Sequence, residues 1–308
     1  MRILILGAGG IGGYFGARLH DAGADVTFLV RPGRAEYLKA NGLRVVSALG
    51  DVRISPKVIT ADELREHFDV VILSCKAYDF ASAVEAVSPA VGPDSVVLPL
   101  LNGVAHLEPL DAWFGRDPVL GGVAHLAVTL TPEGEIKHLN AIHRLIIGSR
   151  GLQATKWLSS MAQLLSTTSV DYRVSENVEQ DMWDKFVFLV TLAGATCTMR
   201  ASIGEILETV AGEGFILGLL QECEEVAAAC QHVPDTKQLA AYRAQLTERG
   251  SSFTASMLRD IERGGPTEAD HILGDMVRRG QASGVSTRLL KLAYSHLQAY
   301  ESRCSRGS

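Results

Sequence analysis

Much that would announce a function is missing from this sequence. Its 308 residues include five cysteines, Cys75, Cys197, Cys223, Cys230 and Cys304, with no Cys-x-x-Cys pair among them. An odd, widely spaced set excludes a disulfide scaffold and a zinc ribbon, and predicts a reducing, cytoplasmic setting. The nine histidines never stand at ligand spacing beside an acid, so no metal site is expected. Three of them, His125, His138 and His143, fall in strands and turns of the first half. Positive charge is in deficit: 29 Lys and Arg against 35 Asp and Glu leave a net charge of −6. With no basic run, nucleic acid is not an expected partner. No apolar stretch reaches the roughly 18 residues of a membrane helix, so no membrane partner is expected either. A strand-like run starts at Ile3, leaving no room for a signal peptide.

What is present predicts a packed protein. Hydrophobic residues make up 47% and charged residues 21%, and the length suits two domains of roughly 150 residues. The N-terminal half alternates. Apolar runs at Ile3–Leu6, Val26–Val30, Val70–Leu73 and Val96–Leu100 read as buried strands, with helical patterns between them, as in 81–90. That order predicts a doubly wound parallel sheet with right-handed crossovers. Two alternating runs around Thr131-Pro132-Glu133-Gly134 read as a hairpin that ends this sheet with antiparallel strands. From about Asn177 the period is helical: 178–198, 202–230, 235–249, 252–262, 267–283 and 286–303. The fold class is therefore α/β, a Rossmann-type domain over 1–173 followed by a helical domain over 174–308. Ser305–Ser308 reads as a frayed tail.

Gly7-Ala8-Gly9-Gly10-Ile11-Gly12 matches G-x-G-x-x-G, directly after the first strand and opening a helix. Gly7 permits the tight turn. Gly9 lets a pyrophosphate touch backbone, and Gly12 lets the helix approach the sheet. The helix N-terminus offers N–H groups and a positive dipole end to the phosphates. Gly13 and Gly16 extend the small face. The second strand ends not in the acid that binds a ribose diol but at Arg31, in Val30-Arg31-Pro32-Gly33-Arg34. A guanidinium suits a 2′-phosphate, so the cofactor predicted is NADP(H); Arg31 and Arg34 as loop caps are the alternative.

Ligands of open parallel sheets bind beyond the strands' carboxyl ends. Lys76, after Leu73-Ser74-Cys75, and Asn102, after Leu100-Leu101, stand at such ends. Lys76 suits a phosphate, a ribose or a substrate carboxylate, and Asn102 the nicotinamide or a substrate oxygen. Lys185 leads a run apolar on every face, Phe186 to Ala193. Burial there would lower its pKa towards the range of acid–base chemistry; a snorkelling lysine paired with Asp181 or Glu179 is the alternative. Glu268 and Asp270 follow Thr267, a candidate helix cap.

With these motifs in order, the chain resembles the 2-dehydropantoate 2-reductase (ketopantoate reductase) family from Met1 to about residue 300. The carriers are the glycine turn with Gly16, Lys76 in Cys-Lys-Ala, Asn102-Gly103, Trp183-x-Lys185-Phe186, and Ser256-Met257…Asp260…Thr267-Glu268. The resemblance implies reduction of a 2-oxo acid, ketopantoate to pantoate, with NADPH, in pantothenate biosynthesis. It implies Lys185 as proton donor and Glu268 as the acid beside it and the nicotinamide ribose. It also implies Asn102 and Lys76 at cofactor- and substrate-proximal positions, and Ser256 on the substrate carboxylate. Both monomers and homodimers occur in the family.

The chain departs from the family where asparagines hold the substrate. Leu189 and Ala193 stand one and two turns after Lys185, and Phe253 shortly before Ser256. Thr191, Thr196 and Thr198 are nearby hydroxyls. Losing such amides costs ~1–3 kcal/mol each in recognition, so a more apolar 2-oxo acid and a non-catalytic NADPH-binding protein stand as alternatives. Arg31→Asp is expected to weaken NADPH binding while sparing or improving NADH binding. Fluorescence titration with both nucleotides checks this; unchanged NADPH affinity removes the case for a 2′-phosphate site.

Overall fold

The computed structural model describes residues 1–151 and 155–306. The chain divides into two compact units, Met1–Leu101 with His106–Asp181, and Asn102–Ala105 with Met182–Ser308. The boundary expected at 173/174 falls inside a strand of the first unit.

In the first unit β1 (Arg2–Leu6), α1 (Gly10–Asp21), β2 (Asp25–Leu29) and α2 (Pro32–Asn41) are followed by three short strands, β3 (Leu43–Val46), β4 (Val52–Ile54) and β5 (Lys57–Ile59). Then come β6 (Phe68–Leu73), α3 (Phe80–Val87), β7 (Val91–Pro99) and α4 (Leu107–Phe114). A long hairpin, β8 (Gly121–Leu130) and β9 (Ile136–Gly148), precedes α5 (Thr155–Leu165) and β10 (Asp171–Ser175).

Five strands form an all-parallel sheet in the order β5-β2-β1-β6-β7. Its inner strands are apolar on both faces because each face has its own core. Ile3, Ile5, Val70, Ile72 and Leu98 enter one; Leu4, Val71, Leu73 and Val97 enter the other. This is why these runs read as continuous rather than alternating. The order reverses between β1 and β6, whose ends Leu6 and Leu73 are paired. That switch point is where such sheets bind ligands.

The hairpin forms where the sequence placed it. Gly134 N donates to the Thr131 carbonyl at 2.9 Å, with Gly134 at φ +84. It does not extend the parallel sheet, however. β9 runs 13 residues and takes β3 and β10 as parallel partners, giving a second sheet, β10-β9-β3-β4, with β8 on β9. Ile136, Leu145 and Ile147 of β9 join Tyr14 and Phe15 of α1 in one core. Helix α1 is thus covered on two sides, with Gly12–Leu19 buried.

The second unit is helical: α6 (Val178–Met199), α7 (Ile203–Leu207), α8 (Gly212–Ala229), α9 (Thr236–Leu246), α10 (Ser256–Glu262), α11 (Asp275–Ala282) and α12 (Arg288–Arg306). α6 starts at the end of the first unit and crosses into the second after Asp181. The single helix expected over 202–230 is two, because the chain turns between Glu208 and Ala211; a Cβ on Gly212 would strike the Ile206 carbonyl. The helix expected over 267–283 opens instead with a π-helical turn, Asp270–Gly274. Ser305 and Arg306 belong to α12 rather than to a frayed tail; Gly307 and Ser308 lie outside the described residues. Among the described residues, no helix is long and apolar enough to cross a membrane.

The small face of α1 sets its distance from the sheet. A Cβ on Gly16 would lie 2.5 Å from Phe28 Cζ and 2.7 Å from Ile5 Cδ1. Gly16→Ala is therefore expected to destabilise the protein by ~1–3 kcal/mol, read as a lower Tm. Gly33→Ala, with nothing within 4 Å of its Cβ, serves as the neutral control. Equal Tm values for the two variants would refute the close packing.

Candidate active site

The glycine turn is built at the switch point. Gly7 leaves β1 at φ +90, and its N–H donates to the Leu29 carbonyl at 2.9 Å. Gly9 is the N-cap of α1 and supplies no side-chain cap. A Cβ there would meet nothing within 4 Å, so the turn faces open space just before the helix N-terminus. Gly12 is closed in: its Cβ would lie 2.5 Å from the Gly7 carbonyl and strike Ser74 Oγ. Gly10 borders Val128, Ile11 is half-buried and Ala8 is buried. Open space at Gly9, dense packing at Gly12 and a dipole end fit a dinucleotide's pyrophosphate.

Ser74, which sequence reasoning passed over, and Arg34, weighed there as a loop cap, brace this turn. Ser74 Oγ donates to the Leu6 carbonyl at 2.8 Å. Arg34 Nη2 donates to the Ala8 carbonyl at 3.0 Å and to Gly134 at 3.2 Å. Burial lowers the Arg34 pKa from its usual value. Arg34 is thus tied into the scaffold, as the loop-cap alternative had it. Arg31 is not: it is 78% exposed and pairs with Asp79 at 2.8 Å. Lys76 is half-buried and heads a 3-10 turn, Ala77–Asp79, so the Arg31–Asp79 pair joins the loops after β2 and β6.

The second unit assembles a different set. Lys185 Nζ donates to Asn102 Oδ1 at 3.1 Å. Asn102 lies just past β7, in the short segment that belongs with the second unit. There Gly103, at φ +79, sits so close that a Cβ would touch Ile272, Phe186 and His271. Burial pushes the Lys185 ammonium down from its ordinary 10.5 to about 8, and the Glu268 carboxylate opposes that fall. Glu268 itself is only 8% exposed. The acids of the alternative snorkelling pair are engaged elsewhere. Asp181 takes Arg173 at 2.5 Å, and Glu179 takes Arg116 and Arg150 at 2.8 Å. Lys185 is therefore a proton-bearing group poised near neutral pH, with an acceptor amide and a carboxylate.

Leu189, four residues on from Lys185, is half-buried, whereas Ala193 is fully buried in the core. Thr191 and Thr196 do not replace the absent amides; both are fully buried and donate back to the Val187 and Leu192 carbonyls. Thr196 Oγ1 also accepts from Ala255 N at 3.3 Å, which fixes the start of α10 and hence half-buried Ser256. Phe253 is 41% exposed and stacks on Phe188 at 6.0 Å. His271 was also missed: its imidazole is hydrogen-bonded to the Asn102 backbone and feels the Glu268 charge. The available signal was its place three residues after Glu268, on one face of a helical turn.

Residues 3–151 match the family described as Ketopantoate reductase PanE/ApbA, and residues 177–301 its C-terminal counterpart. The chain belongs to the ketopantoate reductase family. It is 37% identical over 303 residues to the uncharacterized oxidoreductase YkpB of Bacillus subtilis, covering 98% of this chain and 99% of that one. The crystal structure of 2-dehydropantoate 2-reductase from Methylococcus capsulatus superposes with a TM-score of 0.87 at 30% identity, covering 99% and 98% of the two chains. At 22% identity, a ternary structure of D-mandelate dehydrogenase with NADH and anilino(oxo)acetate shares the fold, with a TM-score of 0.89 over 99% and 100% of the chains. As a ketopantoate reductase family member, the protein is an NAD(P)-dependent oxidoreductase.

The depressed Lys185 pKa has a consequence for stability. The folded protein releases this proton near pH 8 and the unfolded chain only near 10.5. Below about pH 8 the buried ammonium costs stability, and between the two values that cost is relieved as pH rises. Lys185→Met is expected to raise Tm at pH 7, by an amount that shrinks from about pH 8 to 10.5. Melting curves across that range test it; a pH-independent difference would contradict a buried, titrating lysine.

Proposed function

We propose that this protein reduces the keto group of a 2-oxo acid with NADPH, with 2-dehydropantoate, giving pantoate for pantothenate synthesis, as the leading substrate. The observation that carries this reading is the Lys185 ammonium, bonded to Asn102 at 3.1 Å, opposed by Glu268 and held near pKa 8. The bound reduced nicotinamide supplies the hydride. Gly7, Ala8, Gly9, Gly10, Ile11 and Gly12 would hold its pyrophosphate, and Arg31, with Lys76 nearby, a 2′-phosphate. As charge develops on the substrate oxygen, Lys185 stabilises it and then gives up its proton to form the alcohol. Asn102 fixes the direction of the lysine, and Glu268 keeps enough positive charge on it for this task. Ser256 offers its hydroxyl to the substrate carboxylate. The reaction would run in the cytoplasm, without a nucleic-acid or membrane partner.

A second reading concerns the acyl chain. Half-buried Leu189 and the exposed Phe253 ring on Phe188 favour a more apolar 2-oxo acid, because an apolar wall leaves a substrate hydroxyl without a partner. The test is loss of the near-ultraviolet absorbance of NADPH with 2-dehydropantoate beside a panel of branched and aromatic 2-oxo acids. Turnover that Lys185→Ala lowers by at least about a hundredfold is expected. The preferred acid then decides between the two readings. Tight NADPH binding with no turnover on any acid would overturn both and favour a non-catalytic binder.

A further inference from the structure

The Lys185–Asn102 bond depends on how the Asn102 segment is held, and nothing in the reaction proposed above uses the group that holds it. Asn102 and Gly103 rest on two elements: Phe186 of α6, and the π-helical turn Asp270–Gly274 through His271 and Ile272. The imidazole of His271 lies 3.5 Å from where a Gly103 Cβ would be, and is hydrogen-bonded to the Asn102 backbone. The same turn follows Glu268, so one short stretch of chain addresses both ends of the Lys185–Asn102 pair. It is anchored from outside as well: Asp270 accepts from Arg278 at 2.7 Å and from Tyr294 at 2.5 Å. π-Helical turns of this kind concentrate at functional sites because they re-aim side chains that a regular helix would space differently.

We propose that His271 is a positioning residue for this reaction, holding the backbone of Asn102 so that its amide oxygen stays in reach of the Lys185 ammonium. The proposal rests on the reductase reading only in naming the reaction; the positioning itself concerns this chain alone. The charge state matters too. The groups that act on the imidazole are Glu268, Asp270 and Asp275, with Arg278 and Tyr294 held on Asp270 and Lys185 beyond Glu268. Burial keeps His271 below its ordinary 6.5 against the pull of these carboxylates, so it is neutral at pH 7. Protonated in acid, it would compete with Lys185 for the field of Glu268 and disturb the arrangement it maintains.

Two variants and two readouts separate positioning from mere packing. His271→Leu removes the hydrogen bond, whereas His271→Asn keeps a donor but cannot titrate. His271→Leu is expected to lower kcat at least about tenfold, with KM for NADPH within about twofold, and His271→Asn to recover most of that loss. The acid limb of the wild-type pH–kcat profile should be absent in His271→Asn. Titration of Lys185 by NMR of 13C-labelled lysine needs no turnover. It is expected near 8 in the wild type, lower by at least about half a unit in His271→Leu as the ammonium loses its acceptor, and restored in His271→Asn. An unmoved Lys185 titration in a folded His271→Leu protein overturns the proposal whatever the turnover. The expected titration shift without turnover on any 2-oxo acid upholds the positioning and overturns the reductase reading instead.

Discussion

The second unit depends on one constraint, the cost of placing an ammonium among the apolar side chains of α6. Phe186, Val187 and Val190 are buried beside Lys185, and such surroundings favour the neutral amine. The charge of Glu268 opposes the resulting fall in pKa, and the Asn102 amide oxygen stands 3.1 Å from the ammonium. The balance leaves the group changing charge at about 8. The arrangement draws on three stretches far apart in sequence: 102–105, α6 and the residues ahead of α11.

The first unit answers a different demand, a close approach of backbone to backbone. Gly12 and Gly16 bring α1 onto the sheet, Gly7 turns the chain, and Gly9 leaves the space before the helix open. The surroundings secure this geometry through hydrogen bonds rather than bulk, with Ser74 on Leu6 and Arg34 on Ala8. The second sheet adds the other wall, so α1 is buried from Gly12 to Leu19. Such rigidity suits a site whose attraction for phosphate comes from the direction of N–H groups.

Around the lysine, the Asn102 amide and the Glu268 charge stand in an apolar neighbourhood. On the proposed reading Leu189 and Phe253 replace amides that a hydroxylated substrate would need, and Phe253 is braced by Phe188, itself packed on Tyr242 at 4.6 Å. Thr191 and Thr196 are spent on their own helix. On the proposed reading the proton chemistry and the choice of acyl chain would reside on different side chains, so that one could change without the other.

The α/β class, the parallel sheet and the glycine turn were legible in the sequence, because each rests on a local pattern of apolar runs ending in glycine, and Lys185 and Glu268 could be singled out there as charges set against apolar runs. The family's match over 3–151 and 177–301 agrees with that reading. The second sheet was not legible, since β3, β4 and β10 span only three to five residues and acquire their meaning from pairing with distant β9. Nor was the break of the 202–230 helix, which depends on how tightly Gly212 lies on Ile206. The backbone partners of Arg34 and His271, Ala8 and Asn102, are likewise ones that no spacing rule identifies. Sequence alone determined the fold class, the family and which residues are candidates for the chemistry. Tertiary structure decided what each one faces, because hydrogen-bond partners and desolvation are properties of neighbours in space.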